Sequence, residues 1–163
     1  MNYKFLSEVD QKIVKEAYKL YLDSYLNWGN STPLNFDEFK ESYTKSNDYE
    51  PSLAFFVDKK FIGYGLIMSN YMQNKRLDIG YSVVKSERNK GYATQIIKLL
   101  LEFADSKYSP NLICADTFEN LASEKVLIKN GFVECGEIPN FNLATGKARS
   151  VKFFYILRKN EES

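Results

Sequence analysis

The sequence predicts a mixed α/β domain in which antiparallel strands come first and a β-α-β-α-β run follows. Three observations carry this. Short runs rich in β-branched and aromatic residues between positions 53 and 84 are separated by tight polar turns. From position 91 the apolar spacing turns helical, with Ala93, Ile96, Ile97, Leu100, Phe103 and Ala104 on one face. Strand-like and helix-like segments then alternate, the pattern of a sheet covered by helices. The expected architecture is a central mixed, mostly antiparallel sheet of about six to seven strands flanked by about four helices.

Taken in order, residues 3–6 read as a short first strand. Asp10 is placed to cap a helix whose apolar positions Ile13, Val14, Ala17, Tyr18, Tyr21 and Tyr25 recur at helical spacing. A turn-rich stretch at 27–33 follows, and Phe36, Phe39 and Tyr43 mark a shorter helix beginning near Asn35. Residues 53–57 and 61–68 are strands joined at the tight turn Asp58-Lys59-Lys60, and 77–84 is a third. A helix over 91–106 leads to a strand over 112–117, then to a helix over 119–130 that ends at Gly131. Residues 132–135 and 151–157 supply the last two strands, and nothing within 27–47 or 138–150 has an interpretable code.

At 163 residues, without repeats or low-complexity tracts, the chain reads as a single domain over 1–163. With 44% apolar and 26% charged residues, the composition is that of a soluble globular protein, with no disorder or coiled-coil signature. No stretch is long and apolar enough to span a bilayer, so a cytoplasmic protein is expected. Twenty-two basic side chains balance 21 acidic ones, which provides no field to gather a polyanion and argues against nucleic acid as a partner. Cys114 and Cys135 lie alone in apolar segments and read as reduced core thiols. Histidine is absent, which removes the HExxH zinc hydrolases and the Ser-His-Asp hydrolases. No metal site is expected.

Chemistry concentrates in the strand-to-helix turn Arg88-Asn89-Lys90-Gly91-Tyr92-Ala93-Thr94. The first-turn N–H groups of a helix have no intrahelical partners and lie at the positive end of its dipole, which suits a phosphate. Gly91 lets the backbone approach that anion. The structural alternative is an ordinary turn whose glycine serves local geometry. Neither a GxxxxGK[ST] loop nor a GxGxxG fingerprint is present.

Arg88-Asn89-Lys90-Gly91-Tyr92-Ala93 matches the (Q/R)xxGx(G/A) signature of the GNAT superfamily of N-acetyltransferases, and the resemblance has further parts. Ile79-Gly80-Tyr81-Ser82-Val83 resembles that family's fourth strand, and Asn120-x-x-Ser123 followed by Lys129-Asn130-Gly131-Phe132 resembles its next helix and strand. Order and spacing agree over roughly residues 77–136, in a manner similar to the branch of ribosomal-protein and other amine acetyltransferases. A tyrosine that many relatives use as acid is replaced by Leu127.

The resemblance implies a GNAT-like fold and direct attack of a primary amine on acetyl-CoA, without an acetylated enzyme. It implies that the pantetheine arm pairs with the backbone at Val83 and Val84, beside a splay for which a β-bulge is the usual device. Arg88, Asn89, Lys90, Gly91, Tyr92, Ala93 and Thr94 would hold the pyrophosphate, and Asn120 and Ser123 would approach the pantetheine and the sulfur. Asp78, thirteen residues before Gly91, is the expected base; its structural alternative is a strand residue paired with Arg76. Tyr81 is a second catalytic candidate, with sheet packing as its alternative. Asn120 also suits a helix cap, and Trp28 lies where relatives border the acceptor groove. A module that binds CoA without turnover is the competing reading. The acceptor is a small-molecule or peptide amine, and the last strand can pair within the chain or across a homodimer.

Overall fold

A computed structural model describes residues 1–45, 47–71 and 75–158. Seven strands form one sheet in the order β1-β2-β3-β4-β5-β7-β6. They are β1 (Asn2–Phe5), β2 (Ser52–Val57), β3 (Lys60–Tyr71), β4 (Arg76–Val83), β5 (Leu112–Phe118), β6 (Val133–Asn142) and β7 (Lys147–Leu157). Every neighbouring pair is antiparallel except β4 and β5. The helices are α1 (Gln11–Asp23), the single turn α2 (Tyr25–Trp28), α3 (Phe36–Thr44), α4 (Tyr92–Tyr108) and α5 (Leu121–Lys129).

Local chemistry accounts for most of the boundaries. The Asp10 carboxylate accepts the N–H of Ile13 at 3.0 Å and starts α1. Asn35 and Glu38 form a reciprocal capping box that starts α3. Asp58 and Lys59 both take positive φ in the β2–β3 turn, the geometry whose twist suits a hairpin.

Two cores lie on opposite faces of the sheet. On one, Ile96, Ile97, Leu100 and Ala104 of α4 pack against Leu53, Phe55, Ile67, Leu77, Ile79 and Ile113. Full burial of each such Leu or Ile contributes roughly 1.5–3 kcal/mol. A Cβ added at Gly65 would sit 2.9 Å from both methyls of Leu100, so only glycine lets α4 lie this close to β3. On the other face, Val14, Ala17, Leu20 and Tyr21 of α1 and Phe39 of α3 cover Ala54, Phe61 and Tyr64.

Three expectations are corrected. The last two strands are far longer than 132–135 and 151–157: β6 and β7 form a hairpin that turns at residues 143–146. As the sheet's edge, β6 is exposed along nearly its whole length, so its sequence lacks apolar alternation. Secondly, Cys135 sits at a register shift in that edge and is exposed, so only Cys114 is partly enclosed; both thiols are free. Thirdly, the first helix ends at Asp23, and Tyr25, expected on it, begins the separate single turn α2.

Candidate active site

The β4–β5 pairing is short. It joins Arg76 to Leu112, Leu77 to Ile113 and Asp78 to Cys114, and then stops. Beyond that point β4 stays with β3 as far as Val83–Gly63, and β5 stays with β7 as far as Phe118–Val151. The sheet therefore opens between these two strands. The β3–β4 register is unbroken from Asp78 to Val83, so the strands part by divergence and the expected bulge is not the cause.

The gap has polar walls. Val84 N–H donates to Ile62 O at 2.9 Å, across to β3. Antiparallel strands alternate the direction of their main-chain groups, so the N–H groups of Tyr81 and Val83 face the gap. The pairing expected at both Val83 and Val84 is thus corrected for Val84, whose amide is already used. On the opposite wall Thr117 is buried, and its hydroxyl finds no protein partner among the described residues. Buried hydroxyls are seldom left so, which fits a ligand supplying the partner.

Both helices that follow β4 and β5 begin at this opening. Strand β4 leads through a short 3-10 turn at Lys85–Glu87 into α4. Asn89 (φ +62) and Gly91 (φ +79) both take left-handed conformations there. No side chain caps α4, whose first internal bond runs from Gln95 N–H to Gly91 O, and a Cβ at Gly91 would meet nothing within 4 Å. The N–H groups of Tyr92, Ala93 and Thr94 therefore have no partner within the helix, and the space beside Gly91 is open, an arrangement that suits a diphosphate.

The charged residues of this turn are held in place. Arg88 Nε donates to Val83 O at 3.0 Å. Glu87, only 4% exposed, accepts from Lys90 Nζ at 2.9 Å and also from Lys60. The Lys60 and Lys90 hydrogen bonds hold the Glu87 carboxyl below the usual carboxylate range. Glu87 was not anticipated, since a glutamate in a polar turn carries no sequence signal of burial.

At the end of β5, the Asn120 side chain accepts Ser123 N–H at 3.1 Å and caps α5. Capping brings Ser123 Oγ within 2.5 Å of the Tyr81 hydroxyl, so the two catalytic candidates on β4 and α5 touch across the gap. Burial raises the Tyr81 pKa, with the Ser123 hydrogen bond opposing, so the phenol keeps its proton at neutral pH. Leu127 is fully buried in the core.

Strand parity separates these groups from the carboxylates. Leu77, Ile79 and Val83 belong to the α4-side core with Tyr81 packed against it, whereas Asp78 faces the other way. Asp78 is gripped by Arg76, with Nε to Oδ1 at 2.9 Å and a terminal nitrogen to Oδ2 at 3.3 Å. Cys114 and Asp116 of β5 share that face, since Cys114 pairs with Asp78 and Ile113 with Leu77. Trp28 stands nearby: Arg149 donates to Asn27 O and Trp28 O while its guanidinium lies 4.3 Å from the Phe118 ring centre. Asp116 and Arg149 escaped notice because their roles depend on register and on contacts more than a hundred residues apart in sequence.

No helix of the described residues is long and apolar enough to cross a membrane. Among them no group of three or more potential ligands is placed to hold a metal ion.

Comparison with known proteins bears on this arrangement. The family model of the acetyltransferase (GNAT) domain matches residues 9–133. An uncharacterized N-acetyltransferase of Bacillus subtilis (strain 168), YjdG, is 29% identical over 136 residues, covering 78% of this chain and 77% of the relative. Ribosomal-protein-alanine N-acetyltransferase from Brucella melitensis shares the fold with a TM-score of 0.81 at 16% identity, covering 97% of this chain and 100% of the other. Spermidine N-acetyltransferase from Vibrio cholerae, crystallised with CoA and spermine, superposes with a TM-score of 0.82 at 19% identity, covering 96% and 94%. With more than half of its length matched by that family model, and with N-acetyltransferases as its relatives, this chain belongs to the GNAT family of acetyltransferases.

Proposed function

We propose that this protein transfers an acetyl group from acetyl-CoA to a primary amine by direct attack while both substrates are bound. The observation that carries the reading is the opening between β4 and β5, bridged on its helix side by the Tyr81–Ser123 hydrogen bond. Helices α4 and α5 start at the carboxyl ends of these parallel strands, where α/β sheets place their ligands.

The uncapped start of α4, from Arg88 to Thr94, suits the pyrophosphate, and the Tyr81 and Val83 amides suit the pantetheine. Asn120, while capping α5, keeps an amide NH2 for the same arm. Acetyl-CoA supplies the activated acyl group. Tyr81, with its proton held by burial, donates to the departing sulfur directly or through Ser123 Oγ. This pair takes over the task of the tyrosine that Leu127 replaces, which favours turnover over a module that only binds CoA. The same face as Asp78 receives the acceptor.

The test is thermal unfolding with and without acetyl-CoA, followed by thiol release with spermidine, lysine or a peptide bearing a free amino terminus. Acetyl-CoA raises the melting temperature of the wild type, and Gly91→Val abolishes most of that increase by crowding the diphosphate. Valine at φ +79 is itself strained, so the readout is the ligand-induced shift and not the absolute Tm. No shift in the wild type refutes the proposal.

A further inference from the structure

Resting on the acetyl-transfer reading above, the geometry points to Asp116 as the residue that takes the proton from the acceptor amine, with Asp78 acting on it through charge. Asp116 lies on β5 two residues past Cys114, the last residue paired to β4, and so stands on the wall of the opening itself. Its side chain is on the sheet face opposite Tyr81 and Ser123. A thioester held between the strands then has its leaving group on the helix side and its attacker on the Asp116 side, the separation that a displacement needs.

Asp78 is the poorer acceptor because both of its oxygens are already occupied by hydrogen bonds from Arg76. Asp116 has no such fork. Its side chain is exposed; partial desolvation by the surrounding protein raises its pKa, and the charge of Asp78 raises it further. Arg149 and a backbone hydrogen bond pull the other way. Among the described residues, titratable groups on this side also include Arg76 from β4, Cys114 from β5, Cys135 from β6, Tyr155 from β7 and Glu119 in the β5–α5 link.

The proton balance closes. The amine nitrogen forms a bond to the thioester carbonyl carbon, the carbon–sulfur bond breaks, Asp116 takes one proton from nitrogen, and the sulfur receives one from Tyr81 or Ser123. The attacking species is the neutral amine, since an ammonium, with a pKa near 10.4 for lysine, has no lone pair; on bonding to the carbonyl carbon the nitrogen becomes cationic and its proton far more acidic, within reach of a carboxylate. A carboxylate with an elevated pKa accepts it better than one gripped by arginine.

The experiment compares wild type, Asp116→Asn, Asp116→Glu and Asp78→Asn in thiol release with spermidine, lysine and a peptide with a free amino terminus, together with the acetyl-CoA thermal shift. Asp116→Asn lowers kcat about 100-fold or more while the acetyl-CoA shift persists. Asp116→Glu restores at least a tenth of the lost rate, and Asp78→Asn loses less than Asp116→Asn. In the wild type kcat rises with pH as Asp116 loses its proton, and this acidic limb vanishes in Asp116→Asn. Retention of more than a third of wild-type kcat by Asp116→Asn, or no relief by Asp116→Glu, overturns the assignment. A wild type that binds acetyl-CoA but releases no thiol with any of these amines overturns the acetyl-transfer reading itself, and this is seen without any variant.

Discussion

Tyr81 and Ser123 are 42 residues apart, and their meeting depends on Asn120, whose cap fixes the first turn of α5. Serine alone is a weak acid, and the hydrogen bond matters because it links Ser123 to a phenol with an elevated pKa. Tyr81→Phe should lower kcat about 100-fold while changing the KM for acetyl-CoA little. Ser123→Ala should cost less, because the phenol remains. Since the folded Tyr81 pKa is above its ordinary value of about 10, the wild-type rate should show no alkaline decline below that pH. A Tyr81→Phe enzyme of unchanged kcat rules the phenol out as proton source.

At the scale of elements, α1 and α3 press an aromatic layer onto β3: Phe39 and Tyr43 stack at 4.2 Å, and Tyr43 meets Tyr64 edge-on at 6.1 Å. Burial pushes Tyr43 up to about 12, and Tyr64 is raised as well. An unfolded tyrosine ionises near pH 10 whereas folded Tyr43 keeps its proton to about 12, so its contribution is complete below pH 10 and is lost between 10 and 12. The loss is on the order of 2–3 kcal/mol. Urea unfolding at pH 8, 10 and 11.5 should show a smaller decline for Tyr43→Phe than for wild type, and equal declines would exclude this residue. Elements of this kind were legible because one face of each helix is buried: Phe36, Phe39 and Tyr43 recur at helical spacing and all pack inward. The β6–β7 hairpin was not. Its edge strand faces water, and its position is set by Asn142 and Arg149 bonding to the carbonyls of Leu26, Asn27 and Trp28, contacts that no local window contains. The turn proposed to hold the cofactor was legible as a strand-to-helix turn since its glycine and its basic flank are local features, and the structure gives that glycine a positive φ and leaves the helix uncapped. Asp116 needed the β4–β5 register.

For the molecule as a whole, one parallel pairing among antiparallel ones decides where the sheet opens. The β4–α4–β5 crossover makes those strands parallel and sends each into a helix at the same end. Their divergence leaves main-chain donors at Tyr81 and Val83 without a strand partner, and the first-turn N–H groups of Tyr92, Ala93 and Thr94 have none within α4. Amide hydrogen exchange followed by NMR tests this division. In the free protein these five amides should exchange quickly compared with those of Ile67 or Phe154, which lie in paired strands. Saturating acetyl-CoA should slow the five at least tenfold, with little change in β1, α1 or β6, because only the opening gains partners. Protection spread evenly over the sheet would mean that the ligand stabilises the fold globally rather than filling this opening, and protection confined to another edge would move the cofactor site there.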